Sequence, residues 1–202
     1  MFVQVFQGPV SDPVEVKALL DRWLAELAPG ADGWLGSTGG VTDDGTLVAL
    51  ARFDSEEAAR RNSDRPEQGE WWAQMEALFT SPPVFHDSTT VDVDDHGDLD
   101  SAGFVQVMQG RTSDADRARE LMNDDDPEWQ TYRPDVLGSL STTHDGDGWT
   151  MAIYFTSEAE ARAAEQKEPP ESIREAMAEV DSLTVGETSY FDLREPWLAS
   201  PS

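Results

Sequence analysis

The chain has 202 residues, of which 38% are hydrophobic and 9% aromatic, with seven Trp, so it has the apolar content for packed cores. Its 41 acidic residues against 14 basic ones give a formal net charge of -27. A field of that sign repels phosphate backbones and anionic headgroups, so nucleic acid and membrane surfaces are excluded as expected partners. Cysteine is absent, which excludes disulfides, thiolate metal sites and a Cys nucleophile.

The first element is a strand at residues 2 to 8, "FVQVFQG". It alternates Phe2, Gln4 and Phe6 on one face with Val3, Val5 and Gln7 on the other. No charged and then apolar leader precedes it, and a soluble cytoplasmic protein is expected. Ser11 or Asp12 is placed to cap a helix with Pro13 at its first position, and Val16, Leu19, Leu20, Trp23, Leu24 and Leu27 then recur at helical spacing. "APGADG" ends that helix.

"WLGSTGGVTDDGTLVALARF" predicts two strands joined at Asp44-Gly45. Asp54 or Ser55 caps a second helix, which is expected to break around Pro66 and Gly69 and resume through "EWWAQMEALF". A fourth strand is expected from Val84 to about Val93.

The pattern then repeats. Residue n laid over residue n + 102 keeps the halves in step from Phe2 to about Val91. "FVQVFQG" meets "FVQVMQG", "LGS" at 35 to 37 meets "LGS" at 137 to 139, and "FDSEEAAR" at 53 to 60 meets "FTSEAEAR" at 155 to 162. Each half reads strand, helix, strand, strand, helix, strand. In the second half "NDDDP" at 123 to 127 is expected to stop one helical segment and restart another, and "HDGDG" makes a longer hairpin turn. The expected organisation is a first repeat over 1–94, a linker over 95–103 and a second repeat over 104–196.

A duplicated βαββαβ unit with an F-x-S-x-E-x-A turn into its second helix resembles the dimeric α/β-barrel superfamily, and within it the antibiotic-biosynthesis monooxygenase-like domains. The resemblance runs from Phe2 to about Leu193. It implies an α+β fold of two ferredoxin-like repeats packed sheet-to-sheet in one chain as a pseudo-dimeric barrel, so that the protein is a monomer or at most a weak homodimer.

It also implies a pocket between sheet and helices. Gln4 and Gln106 fall where haem-degrading relatives carry an Asn on the first strand. The position of the haem-ligating His falls at Trp71, or Ile173 in the second half, and neither second helix contains His. The three histidines, His86, His96 and His144, are placed on the fourth strand, in the linker and at a hairpin turn, so haem is not expected.

The other chemistry of these domains is cofactor-independent oxygenation of aromatic substrates, which needs an apolar slot for flat rings and a base or donor for an anion. The candidate catalytic residues are Gln4, Asn62, Gln106 and Tyr154, with Phe6, Arg52, Trp71, Trp72, Met108 and Trp149 as candidate substrate-binding residues. No cofactor and no metal is expected: there is no H-x-x-x-H, H-x-H or HExxH pairing, no spaced Asp loop ending in Glu, and no Lys after "GSTGG" to make a phosphate loop. Two readings stay open. One is a small-molecule-binding oxygenase of secondary metabolism; the other is a noncatalytic ligand-binding or stress-associated protein of the same fold.

Overall fold

The computed structural model describes residues 1–122 and 128–201. In chain order the elements are β1 (Phe2–Pro9), α1 (Pro13–Glu26), β2 (Trp34–Val41), β3 (Thr46–Phe53), α2 (Glu56–Ser63), α3 (Pro66–Glu76) and β4 (Val84–Ser88). Then follow β5 (Thr90–Asp95), β6 (Phe104–Thr112), α4 (Ala115–Met122), α5 (Trp129–Tyr132), β7 (Val136–His144), β8 (Gly148–Phe155), α6 (Glu158–Ala164), α7 (Glu171–Leu183), β9 (Thr184–Leu193) and β10 (Trp197–Ala199). The helix stop and restart expected at 123 to 127 lies outside the described residues. Among the described residues no helix is long and apolar enough to cross a membrane.

The chain forms two compact units, one of Met1–Thr90 with Glu195–Ser202 and one of Val91–Arg194. In the first, the strand order is β10-β2-β3-β1-β4, and every pairing is antiparallel. The repeat therefore has the ferredoxin-like order β2-β3-β1-β4, with the C-terminal strand β10 added beside β2. In the second, the order is β5-β7-β8-β6-β9, again a ferredoxin-like four with one added edge strand.

Local chemistry fixes these elements where the sequence placed them. Asp12 Oδ1 accepts from the backbone N–H groups of Val14 and Glu15, both at 3.1 Å, and Pro13 follows at a position that needs no donor. Ser55 and Ser157 cap α2 and α6 in the same way through the N–H groups of Ala58 and Glu160. The β2–β3 loop closes with Thr42 N–H on Thr46 O at 2.9 Å, and Gly45 sits at φ 84°, the left-handed position of a three-residue hairpin loop.

Two expectations need correction, and one further strand was not expected. The segment expected as one strand from Val84 to Val93 is two strands in two different sheets, β4 and β5. The break comes after Ser88, at Thr89: Ser88 Oγ donates to Thr90 O and accepts from Thr90 N–H, both at 3.0 Å, and this local bonding turns the chain from one sheet to the other. Gly69 does not interrupt its helix: only Pro66 starts a new segment, and Gly69 lies inside α3. Finally, β10 lies beyond the second repeat as the sequence delimits it, yet pairs Trp197, Leu198 and Ala199 with Gly39, Thr38 and Ser37 of β2.

The shared "LGS" marks a β-bulge in each repeat, at Trp34/Gly36 and at Val136/Gly138. Gly36 has φ 135°, and a Cβ there would stand 2.7 Å from the carbonyl oxygen of Ala199 and 2.3 Å from Arg52 Nη2. The guanidinium tip has freedom to move; the β10 backbone has less. Gly36→Ala is expected to cost about 2–3 kcal/mol from backbone strain and overpacking, read as a lower urea midpoint at unchanged slope.

Candidate functional site

The first unit contains a cavity of about 310 Å³ between its sheet and its helices. Strand alternation sends Gln4 and Phe6 of β1, Gly39 of β2, and Ala49, Ala51 and Phe53 of β3 to the face that forms the floor, as the pairs Gln4↔Ala51, Phe6↔Ala49 and Gly39↔Ala49 require. Small residues at the centre of that floor, Gly39, Ala49 and Ala51, leave the space that larger side chains would fill. The roof is α1 with Leu20, Trp23 and Leu24, α2 with Ala59 and Asn62, and α3 with Gln68, Trp71 and Trp72.

The walls are aromatic, with Trp23, Trp71, Trp72 and Phe6 in the lining and Trp34 packed behind Trp23. Trp34 and Trp23 meet edge-on at 5.2 Å between ring centroids, Trp23 and Trp71 are 6.5 Å apart, Trp71 and Trp72 6.2 Å, and Trp72 meets Phe6 edge-on at 5.4 Å. Trp71 is buried and donates its Nε1–H to Leu19 O at 2.8 Å, so its polar tip is spent on α1 and its ring serves the wall.

Three side-chain amides line this apolar space. Gln4 donates from Nε2 to Asp87 Oδ1 at 3.0 Å, across the Gln4↔Asp87 pair of β1 and β4. Asn62 is buried, and its Oδ1 accepts from Arg65 Nη1 at 3.0 Å. Gln68 accepts from Trp23 Nε1 at 2.6 Å. The ionisable residues of the lining are Lys17 and Asp21, one turn apart on α1 and ion-paired with each other at 2.5 Å.

At the rim stands β10 with its preceding Pro196: Trp197 lines the cavity, and Lys17 Nζ lies 6.0 Å from its ring centroid. Removing residues 195–202 is expected to unpair the β2 edge and open this wall, lowering affinity for an aromatic probe by about tenfold in a calorimetric titration, the equivalent of one lost aromatic contact.

Of the expected site residues, the structure brings Gln4, Phe6, Asn62, Trp71 and Trp72 together around one cavity. Arg52 is not among its lining. It pairs with Val3, and alternation puts both on the sheet face opposite Gln4. The same parity separates Tyr154 from Gln106 in the second unit, since Tyr154 pairs with Val105 and is buried on that face, whereas Gln106 pairs with Ile153.

Gln106 donates to Asp192 Oδ1 at 2.8 Å, and Asp192 is also held by Arg162 and by Arg194, the latter at 3.6 Å. The Arg162 guanidinium lies 5.2 Å above the Phe104 ring. This amide is thus part of an ion-pair network. Met108 pairs with Met151 and with Tyr190, and Trp149 packs over Gly110, where a Cβ would come within 2.7 Å of its ring.

Sequence reasoning missed Gln68, Arg65, the Lys17–Asp21 pair and Trp197. Helical spacing carried a signal for Lys17 and Asp21, which lie on α1 beside Leu20 and Leu24. Nothing local pointed to Trp197, whose place depends on a strand pairing from the far end of the chain.

Near this site Glu67 has its carboxyl held below its ordinary value by a backbone N–H at the start of α3 and then by the Arg65 guanidinium, whose Nε donates to it at 2.9 Å. Its contribution to stability is therefore present above the ordinary glutamate range and is lost as pH falls through the lowered value. Solvent screening of this exposed side chain makes that contribution small.

No family model matches the chain, and no curated protein matches it. Solved structures do. A candidate monooxygenase of Lactobacillus acidophilus superposes with a TM-score of 0.73 at 12% identity, over 98% of this chain and 99% of that one. A candidate monooxygenase of Fusobacterium nucleatum gives 0.75 at 9% identity, over 98% and 94%. An anthrone oxidase-like protein gives 0.66 at 11% identity, over 98% and 92%. At such identities the likeness is one of fold. It extends across both repeats, so the tandem α+β fold of two ferredoxin-like repeats expected from the sequence is the one this chain adopts.

Proposed function

We propose that the first unit binds a small, flat, largely apolar aromatic molecule between its sheet and helices and oxygenates it without a bound cofactor. The observation that carries this is the cavity itself: about 310 Å³, walled by Phe6, Trp23, Trp71 and Trp72, with amides at Gln4 and Asn62 among apolar side chains. That volume lies at the lower end of the range of small-molecule sites.

The chemistry follows from the lining. A substrate with an acidic ring CH₂ or phenol loses a proton through the mouth to Asp21 or water. The resulting oxyanion is met by the Asn62 amide N–H in a site walled by apolar rings, where such a bond is worth more than in water. The anion passes one electron to dioxygen, the two radicals join in a new C–O bond, and the protonated peroxide breaks its O–O bond with loss of the remaining ring hydrogen as water. For an activated CH₂ the balance is R₂CH₂ + O₂ → R₂C=O + H₂O.

One observation favours the noncatalytic reading: Lys17 and Asp21 are already paired with one another, which leaves the cavity interior without a strong base. Oxygen uptake with a panel of hydroquinones and anthrones separates the two. Uptake above the buffer rate that falls in Gln4→Ala and Asn62→Ala supports the oxygenase. Uptake equal to buffer, in a protein that still binds the compounds, leaves a binding protein.

A further inference from the structure

The three amides of the cavity are each held by a partner that has only one hydrogen-bonding sense. A guanidinium has no acceptor, so the Asn62 atom that meets Arg65 Nη1 at 3.0 Å is the oxygen, and the two N–H groups of Nδ2 face away from Arg65. Arg65 is itself fixed: its Nη1 also donates to Leu27 O at 3.0 Å, its Nε pairs with Glu67 at 2.9 Å, and its side chain is 20% exposed. An indole N–H likewise only donates, so Trp23 claims the oxygen of Gln68 and leaves its Nε2 hydrogens. An ionised carboxylate only accepts, so Asp87 claims the nitrogen of Gln4 and leaves its carbonyl oxygen. Among the described residues Asn62 Nδ2, Gln68 Nε2 and Gln4 Oε1 have no hydrogen-bond partner, and all three residues line the cavity.

Resting on the binding reading above, we propose that this arrangement is a polarity code: donors on the helix side at Asn62 and Gln68, an acceptor on the sheet side at Gln4. The ligand class it fits is a flat ring system with a ketone or phenolate oxygen at the edge facing α2 and α3 and a hydroxyl donor at the opposite edge facing β1. Arg65 and Trp23 are then positioning residues. They act through the amides and set which end of the ligand goes where.

The test is calorimetric titration with three probes on one carbon frame: tetralin, 1-tetralone and 5-hydroxy-1-tetralone. Affinity is expected to rise about five- to tenfold at each step, one hydrogen bond at a time. Asn62→Asp, which keeps its shape and its bond to Arg65 but loses the donors, is expected to erase the ketone step, and Arg65→Met, which frees the amide to turn over, is expected to reduce it. Tetralin affinity reports in each variant that the cavity is intact, and Arg65→Lys is expected to restore part of the step. Gln4→Leu is expected to erase only the hydroxyl step. Equal affinity of the three probes in the wild type overturns the code while leaving a binding cavity. Failure of tetralin to bind overturns the code and the cavity reading together.

Discussion

Replacing Asn62 with alanine is expected to lower the oxygenation rate by about a hundredfold with little change in KM, the effect of removing one preorganised donor to a developing oxyanion. In the proposed reaction the amide would be worth most to the charged form of the substrate, with the neutral form held mainly by Phe6 and the Trp walls, so the loss falls on kcat. Asn62 is buried, and Arg65 keeps Leu27 O and Glu67 as partners when the side chain is cut back, so the helix junction is expected to survive. Steady-state oxygen uptake across substrate concentration reads the result. A variant with wild-type kcat removes Asn62 from the chemistry.

The largest stability effect is expected at Trp71. Its side chain is 5% exposed, packs against Trp23 and Trp72, and ties α3 to α1 through the bond to Leu19 O. Trp71→Ala is expected to lose about 3–5 kcal/mol, the transfer term of a large aromatic plus the void it leaves beside an existing cavity. Trp71→Phe keeps most of the ring and is expected to lose about 1–2 kcal/mol, near the value of the hydrogen bond and the smaller area. Urea unfolding of both variants checks the pair. A cost below about 1 kcal/mol for the alanine variant contradicts the picture of Trp71 as the joint between the two helices.

Much of the fold was legible because its signals are local. The hydrogen bonds of Asp12 and Ser55, the Asp44-Gly45 turn and the two copies of "LGS" each determine geometry within a few residues, and duplication at one spacing doubled the evidence for the helix caps and for "LGS". What was not legible depends on partners distant in sequence. No local feature of Trp197–Ala199 announces pairing with Ser37–Gly39, and the break after Ser88 depends on the bonds of its hydroxyl to Thr90.

The site followed the same division. Gln4 and Phe6 could be placed on one face by alternation alone, and Asn62, Trp71 and Trp72 by their spacing on the second helical segment. Arg52 shows what residue type alone does not settle: Phe53 and Ala51 face the cavity, so the residue between them lies on the other face. Parity likewise puts Tyr154 and Gln106 on opposite faces. The orientation of the amides was out of reach, since it rests on the long-range bonds Trp23–Gln68 and Gln4–Asp87 and on the side-chain geometry of Arg65.

The space over Ala51 in the first unit is proposed to hold an aromatic ligand. Ala51 lines its floor from β3 between Gln4 of β1 and Ser37 of β2, so a ring grafted there fills the cavity from below. Calorimetric titration of 1-naphthol into the wild type and into Ala51→Phe tests it most directly. One molecule bound per wild-type chain and none per Ala51→Phe chain, at an unchanged unfolding midpoint, is the expected result. Equal binding by the two proteins contradicts the account.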